Sequence, residues 1–227
     1  MPPPTAAWFA VLLLASPPAI RQVTSLDEGS FTLSRDGERV GREDFSVRST
    51  PGSGAPVLVA QGRLTIGTRR LSPGLNADTT GFVLRYQNEV RVGGRVTETY
   101  SGVTSRDHYS SRIQRDDGES AREFRLPPGT VAVDDEVVHQ LWFVARRGAG
   151  AVVPVLVPRR NLVETVRVEL VGAERLTIDV REFETTHLRL RTDGTGVIRD
   201  VWMDADGHML KASIPAMKLV AVRDDLR

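Results

Sequence analysis

Four histidines, His108, His139, His187 and His208, are the side chains best suited by type to move a proton or hold a metal ion. No two of them stand four residues apart, and no His-Glu-x-x-His run occurs. A helical metal site needs such spacing because its ligands must converge from one face. Glu182 and Glu184 share one face of an extended strand, but His187 has the opposite parity and points away. His139 stands beside Trp142 and Phe143, a setting that suits a ligand contact or a catalytic base. A satisfied, partly exposed histidine is the plainer reading of the same residues.

Other chemistries find even less. Asp204-Ala205-Asp206-Gly207 has part of a calcium loop, but Trp202 fills the earlier ligand position and Ser213 stands where the closing Glu belongs. It reads as a hairpin turn. A nucleophilic serine needs a strand-turn-helix elbow, and Ser53 lies instead in a flexible Pro-Gly-Ser-Gly loop. The carboxylate pairs Asp116-Asp117, Asp134-Asp135 and Asp224-Asp225 are sequence neighbours, which do not face one cleft, so they read as caps and turns. Gly148-Ala149-Gly150 lacks the Lys-Ser/Thr of a phosphate loop. With no cysteine, disulfides, thiolate metal sites and a cysteine nucleophile are excluded. Neither a metal nor a cofactor is expected. A hydrolase assembled from His139 and a distant acid stays open as a minor reading. Arg159-Arg160, after Pro158 and between apolar strands, is a candidate clamp for an anionic headgroup at a cavity mouth; its alternative is a solvated turn.

The elements that must position these residues are mostly strands. Turn signals recur at short intervals from Asp36-Gly37 through Gly93-Gly94 and Asp117-Gly118 to Asp193-Gly194 and Asp206-Gly207, with runs rich in Val, Thr, Ile, Leu and aromatics between them. Such spacing predicts an antiparallel sheet of about eleven strands. Leu162–Leu170, Leu176–Thr186 and Leu188–Arg191 read as separate strands. Asp134 to Gly148 is the exception and predicts one helix over 134–147. Asp134 suits the N-cap, Asp135 and Glu136 the first turn, Arg146 and Arg147 the last, and Gly148 a left-handed stop. Val137, Val138, Leu141, Trp142, Val144 and Ala145 fall on an arc of roughly 160° at helical spacing. Phe143 lands among the polar positions, which leaves two readings: a strand, or a helix covered on more than one side.

The 227 residues suit one domain, and a chain of this length buries enough surface to fold without staples. The net charge of +1 argues against a general nucleic-acid partner. Residues 1–19 carry no charge, and Ala6 to Ala15 is an apolar run too short to span a bilayer but of the length of a secretory signal's core. Cleavage is expected after Ala19, with 20–29 as linker, 30–227 as the domain, and a periplasmic or secreted product. The missing Lys or Arg before the run departs from the usual signal. No further stretch is long and apolar enough to cross a membrane.

Two hairpins carry a family resemblance. The closing stretch from Val201 through Trp202, Asp206 and Gly207 to Pro215, and the opening one through Asp36, Gly37, Val40 and Gly41, resemble those of uncharacterised exported bacterial β-proteins, domains of unknown function. The resemblance implies a single strongly curved antiparallel sheet, a half-barrel wrapped around one helix, similar to the lipoprotein-carrier fold that shelters acyl chains. It implies no catalytic residues. On that architecture the expected partner is a lipid or another hydrophobic small molecule held between sheet and helix, with Leu141, Trp142, Phe143 and Trp202 as candidate pocket residues. The alternative is a structural or interaction module of the cell envelope with a fully packed interior.

Overall fold

The computed structural model describes residues 22–226. The apolar N-terminal run and its cleavage point lie outside the described residues. Among the described residues, sixteen strands form one sheet. They are β1 (Thr24–Arg35), β2 (Glu38–Thr50), β3 (Val57–Ile66), β4 (Arg69–Leu71), β5 (Gly74–Asp78), β6 (Val83–Val92), β7 (Arg95–Ser105), β8 (His108–Arg115), β9 (Gly118–Arg125), β10 (Val131–Ala132), β11 (Val152–Val157), β12 (Leu162–Ile178), β13 (Arg181–Thr192), β14 (Ile198–Met203), β15 (Met209–Ile214) and β16 (Leu219–Arg223). One helix, α1 (Leu141–Ala145), lies between β10 and β11 in the chain. Two short 3₁₀ turns, Pro158–Arg160 and Pro215–Met217, close the β11–β12 and β15–β16 hairpins.

Most strands pair with the next in sequence, and the β1–β16 ladder joins the two wings of the sheet. The outermost strands in the order are β10 and β9. The sheet curls until its β10 end reaches β6, where Val83 N–H donates to Thr130 O at 2.9 Å. The two wings also meet at Asn161, whose carboxamide oxygen accepts from the Ser111 hydroxyl at 2.8 Å. Strand parity then decides what lies inside. Phe31 and Leu33, Phe45 and Val47, Tyr86 and Val90, Leu188 and Leu190, and Val201 and Met203 all enter one core that also holds α1.

Several expectations need correction. The strand count is sixteen, because Pro73-Gly74 separates two short strands, β4 and β5, and β10 and β16 add two more. The pair β10–β11 is parallel, in an otherwise antiparallel sheet. The sheet begins at Thr24, inside the stretch read as linker. Gly172 marks a bulge within β12, where the expectation had a strand break. The break falls instead at Asp179, whose positive φ of 52° makes the turn without a glycine. The bulge also reverses the faces of β12. Val166 and Val168 point into the core, whereas Leu176 and Ile178 lie on the outer side in a smaller cluster with Trp202 and Leu210.

The seam between β1 and β16 is held by charge as well as by its ladder. Arg223 donates to Asp27 at 2.8 Å and to Asp225 at 2.7 Å, and its guanidinium lies 5.1 Å from the Phe45 ring centroid. Asp27 and Arg223 are almost wholly buried. Removing one member of a buried pair leaves the other uncompensated, so Arg223→Ala is expected to lower unfolding stability by about 3–5 kcal/mol in urea titration. Asp224 accepts from the Thr32 hydroxyl at 2.7 Å and from Arg42 at 2.6 Å. Burial pushes its carboxyl up, but the Ser30 and Thr32 hydroxyls and the Arg42 charge outweigh that and hold it below the usual carboxylate range. A carboxylate lowered by folding stabilises above its unfolded pKa and loses that contribution as pH falls through its folded value. The stability gap between wild type and Asp224→Asn is therefore expected to narrow below about pH 4, read by denaturation across a pH series.

Candidate functional site

The site begins where the chain leaves the sheet after β10. From Asp134 to Gln140 it runs through the interior as successive turns, and only Leu141–Ala145 is helical. The helix expected over 134–147 is thus five residues long. Its expected cap, Asp134, is occupied elsewhere. Both oxygens of its buried carboxylate accept from Arg159 Nε, at 2.7 and 2.9 Å. Tyr86 Oη and Asn88 Nδ2 each donate to it at 3.0 Å. Gln140 holds the residue from the other side, its Oε1 accepting the Asp134 N–H at 2.7 Å. Burial, with the Asp134 charge beside it, pushes the Tyr86 hydroxyl well above its ordinary value. Arg159 is pulled down by burial, but Asp134 more than restores it and its pKa is raised.

A second buried carboxylate finishes the turns. Glu43 accepts the backbone N–H of Val138 at 2.8 Å and that of His139 at 3.1 Å, and also contacts His139 Nδ1. These are amides that a longer helix would have bonded internally. His139 stacks on Phe45, with ring centroids 5.6 Å apart, and presses on Gly62. A Cβ on Gly62 would come within 2.6 Å of the imidazole, so glycine is required there. Both Glu43 and His139 have fully buried side chains. At the far end, Gly148 takes the expected left-handed conformation, with φ of 79°.

The candidate pocket residues divide between two places. Leu141, Trp142 and Phe143 are buried on α1. Trp142 and Phe143 meet edge to face at 5.0 Å, and the Trp142 indole N–H donates to Gly207 O at 2.9 Å. Phe143 is wholly buried, which selects the enclosed helix over the strand. Trp202 does not join them. It alternates with Val201 and Met203 and so faces outward, stacked 4.2 Å from His187. Its N–H donates to Glu174 at 2.7 Å, and Lys211 lies over its ring. The void between α1 and the sheet, bounded by Val133, Leu141, Val144, Val155 and Leu190 and closed on one side by Arg199, holds about 10 Å³. That is no more than one water molecule needs.

Arg159 and Arg160 line a cleft of about 450 Å³ at one end of the sheet, between the two 3₁₀ turns. Asp135, Glu136, Glu164 and Arg199 share it, with Val197, Ile214, Ala216 and Met217 as its apolar wall. Arg160 sits 3.6 Å from Asp135 and 3.5 Å from Glu164, and Glu136 is paired with Arg69. The two candidate arginines therefore differ: Arg159 is a buried structural partner, whereas Arg160 is half exposed at the rim. Elsewhere, Asp204, Asp206 and His208 bring their ligand atoms within 4.8 Å of one another at the β14–β15 turn. Asp204 is taken up there in bonds to His208.

Glu43, Asn88 and Arg199 were not singled out from the sequence, yet a signal existed. Each is a polar residue at an inward position of its strand, in step with Phe45 and Val47, with Tyr86 and Val90, and with Val201 and Met203. Replacing Glu43 by Ala strips partners from two buried amides, each worth about 1–3 kcal/mol. Glu43→Ala is expected to lose about 2–6 kcal/mol and to speed hydrogen exchange at Val138 and His139 before β1 exchanges.

No protein-family model matches the chain, and the search of curated proteins finds no significant match. Among solved structures it is similar to a β-barrel-like protein of domain of unknown function DUF1849 from Brucella abortus. The TM-score is 0.55 at 12% identity, over 92% of this chain and 98% of that one. At such identity the likeness is one of fold, and it agrees with the resemblance carried by the opening and closing hairpins. The chain thus shares its fold with that domain of unknown function, and among the described residues the fold is one large, mainly antiparallel sheet with a single short helix.

Proposed function

We propose that this protein is an exported, non-enzymatic structural or interaction module of the cell envelope, working through its outer surface. The observation that carries the reading is the filled interior. The inner side of the sheet is occupied by α1 and by the turns before it, and the void beside the helix takes about one water. A lipid between sheet and helix, the occupant the sequence favoured first, finds no acyl-sized space there. Hydrolysis has little support too. The His139–Glu43 pair is fully buried, and Glu43 is committed to two backbone amides, so a substrate has no approach. Export rests on the apolar run at Ala6–Ala15.

Organic extraction of the purified protein is expected to release no stoichiometric lipid by mass spectrometry; a bound acyl species at one per chain would overturn the packed reading. Phe143→Ala is expected to cost about 3–5 kcal/mol, as for a ring removed from a close-packed core. Were the interior an open lumen, that truncation would cost far less. Expression with a tagged C-terminus is expected to yield exported protein whose first residue lies near Ile20, and retention of the uncut chain inside the cell would sink the export reading.

A further inference from the structure

We propose that the cleft between the two proline-led turns binds a small organic monocarboxylate with a short apolar tail. The carboxylate would sit on Arg199 and Arg160, and the tail against Val197, Ile214, Ala216 and Met217.

The starting point is Arg199. It lies at an inward position of β14, in step with Val201 and Met203, and only 9% of it is exposed. Other arginines of the interior are answered by carboxylates, Arg223 by Asp27 and Arg159 by Asp134. Arg199 has no such partner among the described residues. Its one hydrogen bond goes from Nη1 to the Thr192 hydroxyl at 3.2 Å. Burial pulls its pKa down, and Glu164 and Asp135 offset that only in part, from a distance. A guanidinium carries five N–H donors, so most of this one's capacity is unused, and its side chain lines the cleft.

The surroundings define what would use that capacity. A guanidinium presents parallel donors that match a carboxylate. Arg160 stands on the same cleft, held by Asp135 and Glu164 at 3.5–3.6 Å and half exposed, so it can turn toward a second oxygen. The acids of the cleft already serve arginines: Glu136 serves Arg69, and Glu164 and Asp135 serve Arg160. The spare capacity is therefore cationic, which favours an anion over a zwitterion. The same acids repel a dianion, which favours carboxylate over phosphate. The apolar wall calls for a tail, and about 450 Å³ lies within the range of small-molecule pockets.

The rim is also built to hold its shape. Both turns begin with a proline, Pro158 and Pro215, and end on a left-handed residue, Asn161 at φ 48° and Lys218 at φ 51°. Arg159 pins the first turn to Asp134 from beneath.

The test is calorimetric titration of the purified protein with isovalerate, and separately with isoamyl alcohol, leucine and inorganic phosphate. Saturable binding of isovalerate is expected, with the other three at least about tenfold weaker. Arg199→Met is expected to weaken isovalerate by about tenfold or more without lowering the thermal midpoint, since methionine relieves a buried charge. Met217→Ser is expected to weaken it less. Should Arg199→Met not fold, Arg160→Ala and Met217→Trp, both altered at the open rim, carry the same expectation of lost binding. Absence of saturable binding up to about 10 mM, equal binding of alcohol or phosphate, tighter binding of leucine, or unchanged affinity in the folded variants would each overturn the proposal.

Discussion

Backbone amides carried into an apolar interior need partners, and this constraint shapes the centre of the molecule. Between Asp134 and Gln140 the chain runs through the interior in turns, with Val137 N–H bonded to Asp134 O, and is not α-helical. Its amides are answered from outside the segment and from within it: Glu43 takes Val138 and His139, Gln140 takes Asp134, and the Asp134 carboxylate takes Asp135. Each answering side chain is itself fixed, Asp134 by Arg159, Tyr86 and Asn88. A polar net of this kind is tolerable in a core only because nearly every member is bonded. His139 Nε2 is an exception, buried without a partner.

That net explains why the helix is short. The caps and the apolar arc over Asp134–Gly148 are local signals, and the acidic start and basic end are not used as such: Gln140 precedes α1 without a side-chain cap, and no acid lies in its first turn or base in its last. Asp134 has the chemistry of an N-cap and spends it on Arg159, a residue of a different hairpin. Val137 and Val138 lie in turns, and the helical bonds that remain begin only at Leu141. The stop at Gly148 survived because it depends on local backbone alone. Phe143 was legible in the opposite sense: its misfit with a one-sided helix correctly implied enclosure, and it is fully buried.

Strand parity carried most of the fold, and its failures are instructive. Phe31 and Leu33, and Phe45 and Val47, alternate with polar neighbours and lie in the core, because an extended chain leaves no choice of face. Parity failed where a bulge moved the frame. The sequence groups Trp202 with α1 because nothing in its own strand shows which face the sheet buries. The bulge in β12 then supplies outer partners, Leu176 and Ile178, that make an exposed-face tryptophan stable. Arg159 and Arg160 were adjacent in sequence and read as a pair, whereas the 3₁₀ turn sends one to a buried carboxylate and the other to the rim. No property of the dipeptide distinguishes them; the position of Asp134 does.

The β1–β16 ladder has a meaning for how the molecule is made. Ser30 and Asp224, bonded across that seam, are 194 positions apart in sequence, whereas most other ladders join strands separated by a turn. Each wing of the sheet can assemble hairpin by hairpin from nearby contacts. The twelve residues of β1 cannot complete their hydrogen bonding in the same way. In a chain that folds as it emerges from its N-terminus, one side of β1 can pair with β2 early, whereas the other stays bare until β16 emerges. For most of its birth the protein therefore carries an open strand edge at what will become the middle of its sheet. Any neighbouring nascent chain that reached that edge first would take the place of β16, so the period of greatest exposure to domain swapping is set by the length of the chain between them.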